Sequence, residues 1–155
     1  MTELVQVPAE LPPGRWFYPS EFKCRDGTPY PVELFQQWIK LVTLCDAIRD
    51  LWGGPLIVVS GYRTPTWNQK LIDDDQKRGA HGVVSGSIHI IGGAADLKTR
   101  HGKADVAQLL RVVLTAHEDG KLPLLGGVAP YPESGWVHVD TFKAEDGHLR
   151  RWTGR

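Results

Sequence analysis

The sequence predicts an α+β fold in which helices pack on one face of a small, mostly antiparallel sheet. Apolar residues recur at helical spacing in only a few segments, and short β-branched or alternating segments predict the strands. These strands cluster late in the chain, with helices before and between them, which favours α+β over a regular βαβ alternation. A chain of 155 residues that is 41% apolar can bury one ordinary core.

The first half of the chain predicts helix, strand, helix and loop in that order. Residues 34–52 carry apolar side chains at helical spacing, and two glycines end this run. The short β-branched segment 55–60 predicts a buried strand. Pro65 suits the first turn of a polar helix that reaches about Lys77. Residues 79–93 are rich in glycine and have no helical period, so we expect mostly loop there.

The second half predicts one further helix and four strands. Residues 94–98 form a strand-like segment, and residues 105–118 form an amphipathic helix with its leucines and valines on one side. Three strand-like pieces follow, around residues 124–128, 136–141 and 149–152.

The domain organisation is simple. Residues 1–15 are rich in proline and predict an extended N-terminal arm, and residues 16–155 predict a single domain. Cys45 follows the apolar face of the first helix, which indicates a buried thiol, although a disulfide with Cys24 stays open as an alternative.

Charge and hydropathy exclude several classes of protein. Eighteen basic residues balance eighteen acidic ones and the pI is about 7.0, which argues against a nucleic-acid-binding protein. We interpret the locally basic run 148–152 as a solvated edge strand. No segment approaches the ~20 apolar residues of a membrane span, and the start lacks the pattern of a signal peptide. We therefore expect a monomer that is synthesised in the cytoplasm and has no membrane or nucleic-acid partner.

A histidine and an aspartate frame the most informative segment. His89 and Asp96 are separated by a stretch that includes two glycines and two alanines, and these small residues allow the chain to bring both side chains to one point. A carboxylate beside a neutral imidazole suits a divalent ion such as zinc. This spacing alone favours an Asx-type turn with a surface histidine.

A later strand carries a second histidine. Because side chains alternate along a strand, Trp136, His138 and Asp140 point to one face and the two intervening valines to the other. His138 completes a His/Asp/His set, and Asp140 is close enough to orient it or to transfer protons. The alternative is a solvated edge-strand face.

The turn at residues 60–65 carries a third candidate. Loops at strand ends often hold functional side chains, and the planar guanidinium of Arg63 can grip a carboxylate in two places. Pairing with an acidic neighbour is the alternative role. We expect Asn68 to brace this loop, and His81 could line the site.

These motifs together resemble a known family. The pattern Ser87-x-His89-x-x-Gly92-x-Ala94-x-Asp96, followed by Val137-His138-Val139-Asp140, resembles the zinc D-alanyl-D-alanine carboxypeptidases. That family includes bacterial cell-wall carboxypeptidases and phage endolysin peptidases, and it shares its fold with the hedgehog signalling domain. The turn 60–65 and the segment 126–128 also match, so that the resemblance covers residues 16–152.

The resemblance implies one zinc ion held by His89, Asp96 and His138, with Arg63 as the anchor for a substrate carboxylate or a developing oxyanion. It also implies hydrolysis of peptide bonds in peptidoglycan stem peptides or cross-links, by a carboxypeptidase or an endopeptidase. The site of action would then be the bacterial cell wall. The lack of a visible secretion signal favours a phage or prophage origin.

One position departs from the family pattern. Many members place a catalytic Asp or Glu three residues before the final histidine, where this chain has Gly135. The remaining candidates for the general base are Asp140, which we favour, and Glu133. This departure also sustains an alternative function, a catalytically impaired, zinc-containing module that binds the cell wall.

Overall fold

The computed structural model describes residues 6–79, 83–84 and 86–155. The described part contains three α-helices and five strands: α1 (Phe35–Trp52), β1 (Leu56–Ser60), α2 (Pro65–Lys77), β2 (Ala94–Thr99), α3 (Val106–Glu118), β3 (Gly127–Tyr131), β4 (Trp136–Asp140) and β5 (Arg150–Arg151). It also contains four short 3₁₀ helices: Pro19–Phe22, Val32–Leu34, Ile88–Ile91 and Gly102–Asp105.

The five strands form one sheet in the order β1-β2-β4-β3-β5. All neighbouring strands are antiparallel except β3 and β5, which are parallel. Helices α1 and α3 pack against each other and contact the central strands. The predicted α+β fold with a mostly antiparallel sheet is confirmed.

Local chemistry explains where the helices begin and end. Helix α1 ends at Gly53, whose φ of +79° is in the left-handed region that glycine adopts without strain. Helix α2 begins after Thr64, whose side chain accepts a hydrogen bond from the Trp67 N–H, and Pro65 occupies its first turn.

The two faces of the sheet have different chemistry. Leu97, Val137 and Val139 point into the apolar core that α1 and α3 cover. The alternate residues point to the opposite face, where Asp96 of β2 lies directly across from His138 of β4. The register therefore places polar, buried side chains together on the face that the core does not occupy.

Two segments differ from the sequence expectation. The strand predicted at 124–128 begins instead at Gly127, because Leu122 and Leu125 form a turn whose side chains are buried in the core. The apolar run there reflects burial in a turn rather than strand pairing. The glycine-rich loop 79–93 contains the 3₁₀ helix Ile88–Ile91, which is too short to show a helical period.

The described part of the arm, residues 6–15, contains neither helix nor strand and lies against α1. The Trp38 indole N–H donates to the Pro12 carbonyl over 2.8 Å, and the Arg15 N–H donates to Asp46. The division into arm and domain at residue 15 stays a prediction. Cys24 and Cys45 are both free and buried. Among the described residues, no helix has both the length and the apolar character needed to cross a membrane.

Candidate metal centre

His89 is held by the 3₁₀ helix Ile88–Ile91. Ser87 begins this helix with a side-chain cap on the His89 N–H, and Gly92, with φ of +73°, ends it. The His89 Nδ1 lies 2.7 Å from the Gly61 carbonyl oxygen. Because a carbonyl only accepts, Nδ1 carries the proton and the Nε2 lone pair points inward, 3.5 Å from Asp96 Oδ1.

His138 is held in the same manner from the other side. Its Nε2 lies 2.9 Å from Asp140 Oδ2, and its Nδ1 lies 3.1 Å from Asp96 Oδ1. A hydrogen bond from Nε2–H to Asp140 leaves the Nδ1 lone pair facing Asp96. The two imidazole rings stand at 69° to each other, with centroids 5.3 Å apart. Asp96 therefore faces one lone pair from each histidine.

This donor set fits a zinc ion. One ligand atom from each of His89, Asp96 and His138 lies within 4.8 Å of the other two, and all three residues are buried. Two ligands of a tetrahedral zinc ion, each ~2.1 Å from the metal, are about 3.4 Å apart. The measured separations of 3.1 and 3.5 Å from Asp96 Oδ1 agree with that value. Lone pairs that face a buried carboxylate require a cation between them, a metal ion or a proton.

Burial and charge shift the pKa values within the cluster. Burial lowers the pKa of His89. Burial alone would also lower the pKa of His138, but hydrogen bonds to Asp140 and Asp96 outweigh it and raise this pKa to about 9. Burial opposes ionisation of Asp96, yet the two histidines hold its pKa below the ordinary range. A carboxylate that stays ionised is the form that binds metal.

Arg63 lies beside the cluster. Its Nη2 is 3.6 Å from Asp96 Oδ2, its Nε donates to Ser60 Oγ over 3.1 Å, and its Nη1 donates to Asn68 Oδ1. The Asn68 amide also donates to the Val84 carbonyl, so that Asn68 braces the loop as the sequence predicts. Among the described residues, these contacts leave further guanidinium N–H groups free for a ligand.

The two candidate bases lie in different environments. Asp140 is fully buried, and both of its oxygens are engaged: Oδ2 with His138, and Oδ1 with the Phe142 N–H and Arg150. This geometry favours the orientation of His138 over proton transfer. Glu133 lies exposed in the turn between β3 and β4, and in the described part of the chain its side chain has no hydrogen bond or ion pair.

Sequence reasoning missed three residues near the cluster. Ala129 of strand β3 lies directly across from His138. Tyr131 is two residues further along β3, so it points to the same face of the sheet as His138. Arg150 and Trp152 come from the C-terminal segment, so that Arg150 is not only part of a solvated edge strand. The spacing of Arg150 and Trp152 two residues apart indicates that both point to one face of strand β5. Which residues they contact depends on the pairing of β5 with β3, which the sequence does not show. His81 lies outside the described residues.

Comparison with known proteins identifies the family. The family model described as Peptidase M15 matches residues 16–140, most of the chain. The chain belongs to the peptidase M15 family. The resemblance to the zinc D-alanyl-D-alanine carboxypeptidases that the motifs predict is therefore confirmed.

One curated relative matches the chain. The probable peptidoglycan L,D-endopeptidase MepK of Haemophilus influenzae is 30% identical over 121 residues, which cover 78% of this chain and 53% of the relative. The chain thus spans about half the length of that relative. A search of the solved structures finds no significant match. Membership of a peptidase family supports a hydrolytic role for the His/Asp/His cluster.

Proposed function

We propose that the chain is a zinc-dependent peptidase that hydrolyses peptide bonds in the stem peptides or cross-links of peptidoglycan. The observation that carries this proposal is the convergence of donor atoms from His89, Asp96 and His138, with each imidazole fixed through its other nitrogen. Family membership supports the peptidase activity, and the printed name of the relative supports peptidoglycan as the substrate. Action at the cell wall follows from this substrate, and a phage origin stays a prediction.

The chain's own residues supply distinct parts of the chemistry. A bound zinc ion provides Lewis acidity, which polarises a carbonyl and lowers the pKa of water. His89 and His138 present lone pairs because their remaining nitrogens donate to Gly61 and Asp140. Arg63, whose side chain is only 12% exposed and is braced by Asn68, presents a fixed positive charge that binds a substrate carboxylate or stabilises a developing oxyanion.

Proton transfer requires a group that can reach the substrate. Asp140 is enclosed and fully hydrogen bonded, so its role in this proposal is to orient His138. Glu133 is the remaining candidate from the sequence, and its carboxylate is exposed at the end of the β3–β4 hairpin. The variant Glu133→Gln tests it: a general base gives a 10²–10⁴-fold loss of kcat with unchanged zinc content.

The identity of the cleaved bond follows from a product analysis. A D-alanyl-D-alanine carboxypeptidase releases single D-alanine, for which Arg63 would hold the terminal carboxylate. An endopeptidase, which the name of the relative supports, divides a cross-link or a stem peptide into two fragments. Mass spectrometry of purified peptidoglycan after digestion separates these two activities directly.

A variant of one metal ligand tests the proposal as a whole. The zinc-loaded protein should cleave muropeptides, and His138→Ala should abolish both zinc retention and cleavage. His148→Ala is the matched control, because His148 is exposed and, in the described part of the chain, its side chain pairs only with Asp146. Full cleavage by a metal-free His138→Ala preparation contradicts the proposal.

A second candidate function rests on the absence of an acid at Gly135 together with the enclosure of Asp140. In that case the chain is a zinc-containing module that binds the cell wall without turnover. Sedimentation with purified sacculi, combined with no released fragments after prolonged digestion, identifies this function. Cleavage that is lost in Glu133→Gln while zinc stays bound excludes it.

A further inference from the structure

Strand β5 places an arginine against the buried end of Asp140. The Arg150 Nη2 lies 2.5 Å from Asp140 Oδ1, and its Nε donates to the Phe142 carbonyl over 2.9 Å. The Arg150 backbone N–H donates to the Gly126 carbonyl, which fixes the strand at this register. Two contacts of the guanidinium and one of the backbone thus fix Arg150 beside the carboxylate of Asp140.

Gly127 of the intervening strand β3 leaves room for the ion pair between Asp140 and Arg150. Strand β3 lies between β4 and β5, and its Gly127 pairs with both Asp140 and Arg150. A Cβ atom on Gly127 would overlap the Asp140 carboxylate and the Arg150 guanidinium. Glycine at 127 therefore allows the two side chains to meet across the strand.

Trp152 reaches His138 from the same C-terminal segment. Its ring centroid is 5.0 Å from that of His138, and its indole N–H donates to the Tyr131 hydroxyl over 3.3 Å. The Arg150 guanidinium lies 5.5 Å from the Trp152 ring centroid. One face of His138 thus packs against an indole that Arg150 and Tyr131 hold in place.

From these contacts we infer that Arg150 and Trp152 are positioning residues that fix the metal ligand His138. The Asp140 side chain has no access to solvent, so its negative charge would be strongly unfavourable without a partner. The positive charge of Arg150 compensates it. Asp140 then holds His138 Nε2, while Trp152 limits rotation of the ring. This inference rests on the proposed zinc site and extends it to the C-terminal strand.

The test compares Arg150→Met with Arg151→Met, a matched control on the same strand whose side chain is exposed. Zinc affinity is measured by competition with a chromophoric chelator, and ligand geometry by the visible absorption of the Co²⁺-substituted protein. We expect Arg150→Met to weaken zinc binding 10–100-fold and to alter the Co²⁺ bands, as is typical when a partner of a ligand is lost. Arg151→Met should match the wild type in both.

Two further variants keep the test decisive if Arg150→Met does not fold. Arg150→Lys retains the charge and should recover part of the affinity, and Trp152→Leu should change the Co²⁺ bands in the direction of Arg150→Met. A lower Tm with wild-type zinc affinity and an unchanged Co²⁺ spectrum in these variants overturns the inference and leaves the proposed function intact. A wild-type protein that binds neither zinc nor Co²⁺ overturns both.

Discussion

His138 and Asp96 lie directly opposite each other on neighbouring strands, and His138 Nδ1 is 3.1 Å from Asp96 Oδ1. The strand register alone therefore brings a nitrogen and an oxygen donor together on a rigid scaffold. His89 completes the set from a short 3₁₀ helix, and its Nε2 is 3.5 Å from the same carboxylate oxygen. Sites built on strands hold their side chains more precisely than sites built on loops.

Zinc should stabilise the folded protein. A ligand at 100 times its Kd adds about 2.7 kcal/mol to the free energy of unfolding, which corresponds to a rise in Tm of roughly 5–10 °C for a domain of this size. Differential scanning fluorimetry with and without zinc measures the shift. The His89→Ala variant should lose it, whereas His148→Ala should keep it. An equal shift in all three proteins would mean that zinc binds elsewhere.

Asp140→Asn should weaken zinc binding while the protein still folds. The amide keeps the size of the side chain but loses the negative charge that accepts from His138 and pairs with Arg150. We expect a 10–100-fold loss of zinc affinity, measured by chelator competition, with Asp146→Asn as the exposed control. Unchanged zinc affinity with lost turnover would instead identify Asp140 as the general base.

Arg63→Lys should impair catalysis while zinc stays bound. Lysine keeps the charge but not the planar fork, so that contacts with Ser60 and Asn68 cannot be made simultaneously with a contact to substrate. We expect kcat/KM on muropeptides to fall at least ~10-fold, the equivalent of about 1.4 kcal/mol. Zinc content, measured by elemental analysis, should equal that of the wild type. Wild-type kcat/KM in this variant would exclude Arg63 from substrate binding.

The stability of the metal-free protein should fall as pH rises. The folded pKa of His138 is raised to about 9, above the value of about 6.5 in the unfolded chain. Its stabilising charge is therefore fully present below pH 6.5 and is lost as pH rises through 9. We expect the Tm in the presence of a chelator to drop by several degrees across this interval. A decrease of the same size in His138→Gln would assign it to another group.

Gly127→Ala should disturb the site from a distance. The added Cβ would overlap both Asp140 and Arg150, and relief of such overlap typically costs about 1–3 kcal/mol. Chemical denaturation should show this loss, together with weaker zinc binding. Gly54→Ala is the control, because its φ is not positive and, among the described residues, its added Cβ would meet only Trp52 at ordinary contact distances of 3.6 and 3.7 Å. Wild-type stability in Gly127→Ala would show that the strands move apart without cost.

The sequence predicted the parts of the fold that depend on local patterns. Alternation in residues 136–140 placed His138 and Asp140 on one face, and the structure has that arrangement. The start of helix α2 follows from Pro65 and a threonine cap, both of which are local signals. Strand β3 was placed three residues too early, because an apolar turn and a buried strand have the same composition.

The functional context of Asp140 could not be read from the sequence. The Asp140 carboxylate contacts Arg150 of strand β5, although strand β3 lies between β5 and the strand of Asp140. This contact depends on the strand order β4-β3-β5, which is a property of the whole sheet. The bend between His89 and Asp96 was predicted from small residues. The sequence does not explain why residue 92 is a glycine. The Tyr30 hydroxyl donates to the Gly92 carbonyl and lies so close that a Cβ atom on residue 92 would overlap it. Such contacts join residues that are far apart in sequence.

A crystal structure of the zinc-loaded protein, with anomalous scattering collected across the zinc absorption edge, shows directly whether His89, Asp96 and His138 bind the metal. We expect one strong peak within bonding distance of His89 Nε2, Asp96 Oδ1 and His138 Nδ1, with Asp140 still hydrogen bonded to His138 Nε2. No peak among these atoms, or a metal bound at another place on the chain, would contradict this expectation.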